Sequence, residues 1–263
     1  MKSLEQIITP IAAELAQFEA FFTQTLKADT EPMDCIMHYV LDTQGKRLRP
    51  VLVLFSAKLF GEVNEQTLRA ATFVEMVHSA TLIHDDVVDD SDSRRKKASV
   101  KAQFGNLSAV LAGDFLLAKA MLLLAQPDDH AILQEMLSTT AAMSEGELMQ
   151  NVSVRSLSLS KGHPYLDIIT RKTALLMRSC CVAGALSVNA TPEQVKQIAD
   201  FGLNFGILFQ LRDDILDGEN TVEAQALLPE YLQKTLDSLK SFPASETLEA
   251  LRDLTVFCAE RTK

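Results

Sequence analysis

The stretch Asp85-Asp86-Val87-Val88-Asp89 returns near the other end of the chain as Asp213-Asp214-Ile215-Leu216-Asp217. Each copy follows a run with apolar residues at three- and four-residue spacing, from Leu68 to His84 and from Val195 to Leu211, which predicts a helix. The first and last acids of each copy are four residues apart, so they lie on one face of their helix. Two helices that end in the same acidic pattern indicate one shared site.

The two triplets (the first, Asp85 to Asp89, and the second, Asp213 to Asp217) have the residue types of a metal site. Carboxylates this close raise each other's pKa, so the arrangement makes sense mainly with a divalent cation between them. All the ligands are hard oxygens, which favours Mg²⁺ or Mn²⁺ over zinc. Mg²⁺ usually takes one or two carboxylates together with water and substrate phosphates. A single triplet is as well explained by a solvated helix end, but both copies directly follow apolar residues.

Composition limits the class of protein. With 263 residues and 47% hydrophobic residues, the chain can bury a large core, and the scattered glycines and prolines mark no linker. We expect one domain over residues 1–263. The net charge of -10 argues against a nucleic-acid partner, because phosphate backbones attract basic surfaces.

The location of the protein is predicted from what its sequence lacks. The N-terminus shows no basic stretch before a long apolar block, and no uninterrupted apolar run approaches the roughly 20 residues of a membrane span. The four cysteines show no paired metal-binding spacing, so we expect reduced thiols. These features predict a cytoplasmic protein without an integral membrane segment.

Helical periodicity covers most of the chain. Apolar residues recur at three- and four-residue spacings in Ile7 to Leu26, Met33 to Leu41, Pro50 to Leu59, Leu68 to Val88, Ser108 to Leu124, Ala131 to Leu148, Tyr165 to Leu186, Val195 to Leu216, Ala224 to Leu239 and Thr247 to Arg261. No stretch alternates convincingly with period two, so strands should be absent or trivial. The predicted fold is all-α, a bundle of about ten helices with acids projecting inward.

Two basic clusters accompany the acids. One is Gly45-Lys46-Arg47-Leu48-Arg49-Pro50, where a helix-starting proline follows three cations, and the other is Arg94-Arg95-Lys96-Lys97. Either cluster alone is most simply a surface charge run. Beside the acidic triplets they indicate a diphosphate site, because arginine binds phosphate oxygens in a bidentate way.

With these motifs the chain resembles the all-trans polyprenyl diphosphate synthases, which elongate isoprenoid chains head to tail. The matching residues, in order, are Gly45 to Pro50, His78 to Asp89, Arg94-Arg95, Phe104 to Asn106, Ala112 to Asp114, Glu145 to Glu147 with Gln150, Lys172-Thr173, and Phe209 to Asp217. The resemblance covers nearly the whole chain up to Gly218. It implies an isoprenoid synthase fold, in which the helices surround a central substrate cavity.

The resemblance also implies a role for each matching residue. About three Mg²⁺ ions would be held on an allylic diphosphate by Asp85, Asp86, Asp89, Asp213 and Asp217, with Asp214 also part of the catalytic set. The allylic diphosphate or its metal ligands would be contacted by Arg94, Lys172, Thr173 and Gln210, with Phe209 also in the substrate site. The homoallylic partner, isopentenyl diphosphate, would be bound without metal by Lys46, Arg49, His78 and Arg95.

The implied reaction begins with ionisation of the allylic carbon–oxygen bond, which the metals and arginines assist electrostatically. The allylic cation then alkylates isopentenyl diphosphate, and loss of a proton restores an allylic diphosphate. The released diphosphate is the expected proton acceptor, because no side-chain base stands out beyond the metal set.

Product length should depend on the helix that carries the first triplet. In this family the growing chain passes beside that helix, where Ala80 and Thr81 are both small. The next residues on the face, Val77, Met76 and Phe73, lie roughly 12 to 18 Å below Asp85 at 1.5 Å per residue. We expect products of twenty carbons or more, unless another helix or a dimer partner forms an earlier floor.

Assembly is predicted from the apolar run Phe104 to Leu124. A helix that is apolar on most faces must be covered by a partner or buried centrally, and the sequence favours neither alternative. The family resemblance implies a homodimer.

The chain departs from the family after Gly218. Members usually continue with a Gly-Lys-Pro loop and a further helix, including a lysine over the allylic diphosphate, whereas here Glu219 to Val222 lead directly into a C-terminal-like segment. A naturally short active form, an inactive relative and an internal deletion all fit this observation. A non-catalytic subunit of a heteromeric synthase is the main alternative. A class I terpene cyclase is disfavoured, because its second motif normally mixes Asn, Ser or Thr with acids.

Overall fold

The computed structural model describes residues 2–43, 45–154 and 165–262, and for residues 151–154 it describes the backbone only. The first half contains α1 (Leu4–Ile7), α2 (Ala12–Leu26), α3 (Glu31–Asp42), α4 (Leu48–Phe60), α5 (Glu65–Val88), the strands β1 (Ser93–Arg94) and β2 (Lys97–Ala98), α6 (Val100–Phe104) and α7 (Asn106–Leu124). The second half contains α8 (His130–Val154), α9 (Tyr165–Ile169), α10 (Leu175–Ser187), α11 (Pro192–Asp217), α12 (Thr221–Ser238) and α13 (Glu246–Glu260).

The all-α prediction is confirmed. In the described ranges the strands are limited to β1 and β2, an antiparallel hairpin of two residues each. Its turn residues Arg95 and Lys96 have φ of 51° and 68°, the left-handed conformation that a two-residue hairpin turn requires.

Two predicted helices are interrupted. The segment Ile7 to Leu26 is divided by a 3-10 turn at Thr9–Ile11, because Pro10 has no N–H to donate within a helix. Between α9 and α10, residues Thr170–Ala174 form a π-helical turn. Such turns are often found at functional sites, and this one carries Lys172 and Thr173.

The core lies where α4, α5, α10 and α11 pack together, and α7 packs along α5. Six phenylalanines are fully buried there or against α2: Phe18, Phe22, Phe55, Phe73, Phe201 and Phe205. Capping boxes fix the starts of the two acidic helices, at Asn64 for α5 and at Thr191 for α11. Both helices therefore begin at a defined residue, and both end at an acidic triplet.

Helix α7 presents apolar side chains to the outside. Leu107 is 75% exposed and Leu122 is 70% exposed, and Leu111 lies between them on the same face. By length and composition alone, α7 is the one helix of the described ranges that could cross a membrane, and 33% of that span is buried in the protein. Because core helices of soluble proteins pass the same test, this property does not establish a membrane span.

Candidate active site

The two acidic triplets have the same pattern of burial. Asp85 and Asp213 are partly buried, Asp86 and Asp214 are buried, and the last acid of each triplet is exposed. This repetition follows from the helix geometry, since successive residues point about 100° apart and the first and last acids share a face. Each helix end therefore leaves its first and last carboxylates accessible and buries the middle one.

Both buried acids are held by protein donors. Asp86 Oδ1 accepts hydrogen bonds from Arg94 Nε at 3.0 Å and from the Arg94 terminal nitrogen at 2.5 Å. Asp214 Oδ1 accepts from Gln210 Nε2 at 2.7 Å, and its Oδ2 accepts from the Tyr165 hydroxyl. Burial and the Asp214 carboxylate raise the pKa of Tyr165, so this phenol stays protonated and donates.

The two partly buried acids, Asp85 and Asp213, both have raised pKa values. Burial raises the pKa of Asp85 to about 6, and repulsion from Glu147 and Asp89 adds to the shift. Burial likewise raises the pKa of Asp213, and the positive charge of the nearby Arg261 partly opposes this shift. Among the described residues, no three His, Cys, Asp or Glu side chains form a complete metal site. Two carboxylates at each helix end fit Mg²⁺, which completes its shell with water and substrate phosphates.

The first triplet borders a cavity of about 730 Å³. Lys172 reaches into its wall from the π turn and binds Glu147 Oε2 at 2.8 Å and Gln150 Oε1 at 2.8 Å. Gly146 permits this approach, because a Cβ there would lie 2.7 Å from Arg171 Cβ and 2.9 Å from the Lys172 nitrogen. Thr173 Oγ1 donates to Gln210 Oε1 at 2.7 Å and so connects the π turn to the second triplet.

A second cavity, of about 670 Å³, is lined by several cationic side chains. Its lining includes Lys46, Arg49, His78, Arg95, Phe209, Asp213 and Arg261. Arg49 and His78 also line the first cavity, so the two cavities adjoin there. Loss of hydration and the surrounding arginines lower the pKa of His78 well below its usual value, which leaves a neutral imidazole.

Arg47 lies in the same basic hexapeptide, but its guanidinium is paired with carboxylates inside the protein. It is 8% exposed, its Nη1 donates to Glu75 Oε1 at 2.6 Å, and its Nε donates to Glu19 Oε1 at 2.9 Å. Its guanidinium also lies 4.6 Å from the Phe22 ring centre. With φ of 54°, Arg47 turns the chain at the start of α4, and its sequence neighbours Lys46 and Arg49 both line the second cavity.

This buried ion pair predicts a large effect on stability. Glu75→Ala should lower the free energy of unfolding by about 1.5 to 3 kcal/mol, because the buried Arg47 loses one of its two carboxylate partners and keeps only Glu19. The matched control is Glu65→Ala on the same helix, whose side chain is 75% exposed and bonded to Arg69, with an expected loss under about 1 kcal/mol. Denaturant unfolding measures both, and equal losses would contradict the assignment.

The residues predicted to set product length all lie on α5. Thr81 lines the first cavity together with Met143. Ala80, Val77, Met76 and Phe73 are at most 1% exposed and belong to the core below it. Their role in product length stays a prediction.

Three residues at the site were not predicted from the sequence: Glu75, Tyr165 and Arg261. Tyr165 opens the predicted helix Tyr165 to Leu186, but nothing in its spacing identifies Asp214 as its partner. Arg261 comes from the residues after α13, where its guanidinium lies 4.3 Å from the Phe209 ring and bonds Asp213 Oδ1 at 2.6 Å. No local pattern predicts that contact.

Acidic helix ends and cations that surround adjoining cavities in an all-α bundle define the class of this protein as an isoprenoid synthase fold. The chain belongs to the polyprenyl synthetase family, whose model matches residues 30–226. Octaprenyl diphosphate synthase of Escherichia coli is 33% identical over 215 residues, which cover 82% of this chain and 66% of that protein. The chain therefore spans just under two thirds of the length of that relative.

Two further similarities agree with this family. Heptaprenyl diphosphate synthase component 2 of Geobacillus stearothermophilus is 34% identical over 221 residues, which cover 84% of this chain and 68% of that protein. The crystal structure of a polyprenyl synthase from Caulobacter crescentus, complexed with calcium and isoprenyl diphosphate, matches with a TM-score of 0.91 and 27% identity. That match covers 99% of this chain and 98% of the other.

Proposed function

We propose that this protein is a divalent-metal-dependent prenyltransferase that condenses isopentenyl diphosphate with an allylic diphosphate to give an all-trans polyprenyl diphosphate. The observation that carries the proposal is the adjoining pair of cavities, one bordered by the first acidic triplet and one by cations. Arg49 lies between them, and its Nε is buried without a hydrogen-bond partner among the described residues. A buried, unpaired guanidinium nitrogen of this kind favours an anionic ligand.

The acids would bind about three Mg²⁺ ions with the allylic diphosphate. Asp85 and Asp89 line the first cavity and Asp213 lines the second, and Asp217 shares a helix face with Asp213. When bound, the metal supplies positive charge to the departing diphosphate. The calcium and isoprenyl diphosphate of the Caulobacter crescentus protein support this assignment, since calcium is also a hard, oxygen-seeking cation.

The remaining residues divide between positioning and charge. Lys172 would add a direct cationic contact to the departing diphosphate, and Arg94 keeps Asp86 in place. Lys46, Arg49 and Arg95 would hold the homoallylic diphosphate, and neutral His78 can donate one N–H to it. In this arrangement the two diphosphates lie on opposite sides of Arg49, so the allylic carbon and the double bond can meet beside it.

Product analysis tests this proposal. The purified protein is incubated with labelled isopentenyl diphosphate, Mg²⁺ and allylic primers of five, ten or fifteen carbons, and we expect longer allylic diphosphates. A relative described as one component of a heptaprenyl synthase, and the departure from the family pattern after Gly218, favour a second candidate: a partner subunit of a heteromeric synthase. Product formation only after a second subunit is added would support that candidate instead.

The exposed side of α7 is proposed to form a homodimer interface. We call Leu107, Val110, Leu111, Met121 and Leu122 the α7 seam, and each is at least 40% exposed. A row of apolar residues along one helix is typical of a protein interface. Asp114 and Lys119 lie within the same helix, which fits a protein partner better than lipid.

Light scattering at micromolar concentration should give twice the chain mass of 29.0 kDa. Leu111→Glu and Leu122→Glu should each give monomers, because a carboxylate would be buried without a partner in the interface. Val222→Glu is the matched control, since Val222 is 86% exposed on α12, and this variant should stay dimeric. A wild-type monomer would contradict the dimer.

A further inference from the structure

The last turn of α11 is unfavourable by itself. It carries Asp213, Asp214 and Asp217 at the negative end of the helix dipole and contains no basic residue. The three carboxylates also repel one another, and helix ends fray more readily than helix interiors. The turn therefore needs ties to the rest of the protein if its acids are to keep fixed directions.

Arg261 bonds Asp213 at 2.6 Å from outside the helix. Asp214 provides a second tie, through both carboxylate oxygens. Gln210 Nε2 donates to Oδ1 at 2.7 Å from within α11, whereas the Tyr165 hydroxyl donates to Oδ2 from a different helix, α9. Thr173 then donates to Gln210 Oε1 at 2.7 Å. The result is a chain of hydrogen bonds that runs from the π turn through the second triplet and back to α9.

When the orientation of Asp214 is fixed, the orientations of Asp213 and Asp217 on the same helix are constrained as well. Residues of a helix are about 100° apart, so the direction of Asp214 determines where Asp213 and Asp217 point. We propose that Tyr165 is a positioning residue, which anchors Asp214 away from the cavity and so aims Asp213 and Asp217 at the metal and diphosphate. The inference rests on the proposed function.

A comparison within the molecule supports the assignment. The first triplet also ends its helix without a basic residue in the last turn, and its middle acid is tied by Arg94. Tyr165 likewise donates a hydrogen bond to the middle acid of the second triplet. It is a neutral donor, so it ties the buried carboxylate without adding a cation that would compete with metal for the acids.

The experiment compares Tyr165→Phe with Tyr231→Phe. Both tyrosines pack on the small apolar cluster of Ile169, Ala174, Ile207, Leu211 and Ala224. Each substitution removes one hydroxyl and keeps the ring. Tyr231 lies on α12, where its ring centre is 4.7 Å from Lys234 Nζ, so it controls for the loss of a phenol from the same cluster.

Three quantities are measured. Hydrogen exchange of amides 213–217 in metal-free protein reports the tie directly, and we expect about tenfold faster exchange in Tyr165→Phe. Calorimetry with Mg²⁺ and inorganic pyrophosphate tests whether the acids are oriented for binding. We expect Tyr165→Phe to lose about tenfold or more in affinity. Thermal unfolding of the metal-free protein monitors global stability. Tyr231→Phe should match the wild type in exchange and affinity.

The outcomes separate the two proposals. Faster exchange together with weaker binding in Tyr165→Phe supports the positioning role. Faster exchange with wild-type affinity reduces Tyr165 to a structural tie and overturns it, as does a lower melting temperature without a local change in exchange. If the wild type binds no Mg²⁺-pyrophosphate, the proposed function fails first and the positioning role fails with it, although exchange still reports whether the tie exists.

Discussion

Asp85→Ala should lower turnover by about a hundredfold to a thousandfold, and Asp213→Ala should do the same. Each change removes a carboxylate from the place where charge separates in the proposed reaction, and a missing electrostatic stabiliser commonly costs that much. Each residue also carries a raised pKa because of its burial, so its charge is held at some cost and is better satisfied by a bound cation. Folding should survive both substitutions. Steady-state assays with saturating substrates measure the effect.

Matched controls exist on both sides of the site. Asp92→Ala removes an acid that is 85% exposed and bonded to Lys101, just after the first triplet. Asp200→Ala removes an exposed acid from the same helix as Asp213. Both variants should keep near-wild-type turnover. Excess chelator should abolish wild-type activity, and added Mg²⁺ should restore it; activity that persists in chelator would contradict metal dependence.

The helices and the acidic faces could be predicted from the sequence because both depend on local spacing. Asp85 and Asp89 share a face whatever else the chain does, since four residues make nearly one helical turn. The same reasoning predicted Lys172 and Thr173 on a helix, although the π turn there was missed. A π turn depends on the close packing of α8 and α11 at Gly146 and Gly206, which no local pattern reveals.

Partners distant in sequence could not be predicted in the same way. A helical pattern indicates that Asp214 lies on a different face from Asp213, but it does not identify Tyr165 as the residue that meets it. Arg47 shows the same limit, because it looks equivalent to Lys46 and Arg49 in a run of cations. The position of Glu75 and Glu19 in the fold makes Arg47 a buried structural residue.

Thr81→Phe should shift the product to fifteen carbons or fewer. In the proposed enzyme the hydrocarbon tail extends from the first triplet along α5, and Thr81 lines the 730 Å³ cavity about one helical turn below Asp85. A phenylalanine ring at this position would occupy the path that a longer tail needs. The wild type should form products of twenty carbons or more, and chromatography of the hydrolysed products measures both lengths.

Two further variants separate size from other effects. Thr81→Val keeps the volume and loses the hydroxyl that donates to the His78 carbonyl at 2.9 Å, so its product length should match the wild type. Ala80→Phe should also shorten the product, but Ala80 is fully buried and an added ring there costs about 1 to 3 kcal/mol of stability. Thr81→Phe is therefore the cleaner test.

The first cavity reaches Thr81 and Met143, whereas Met76 and Phe73 below them are packed in the core. A tail that extends along α5 beyond Thr81 must displace some of these side chains. Methionine suits this role because it is unbranched and adapts its conformation at low cost, and Met76 and Met143 occupy this region of α5 and α8. Phe73 is stiffer and lies about one helical turn deeper than Val77, so it is the candidate floor. A wild-type product of fifteen carbons with isopentenyl diphosphate in excess would show that the floor lies at Thr81 and Met143 instead.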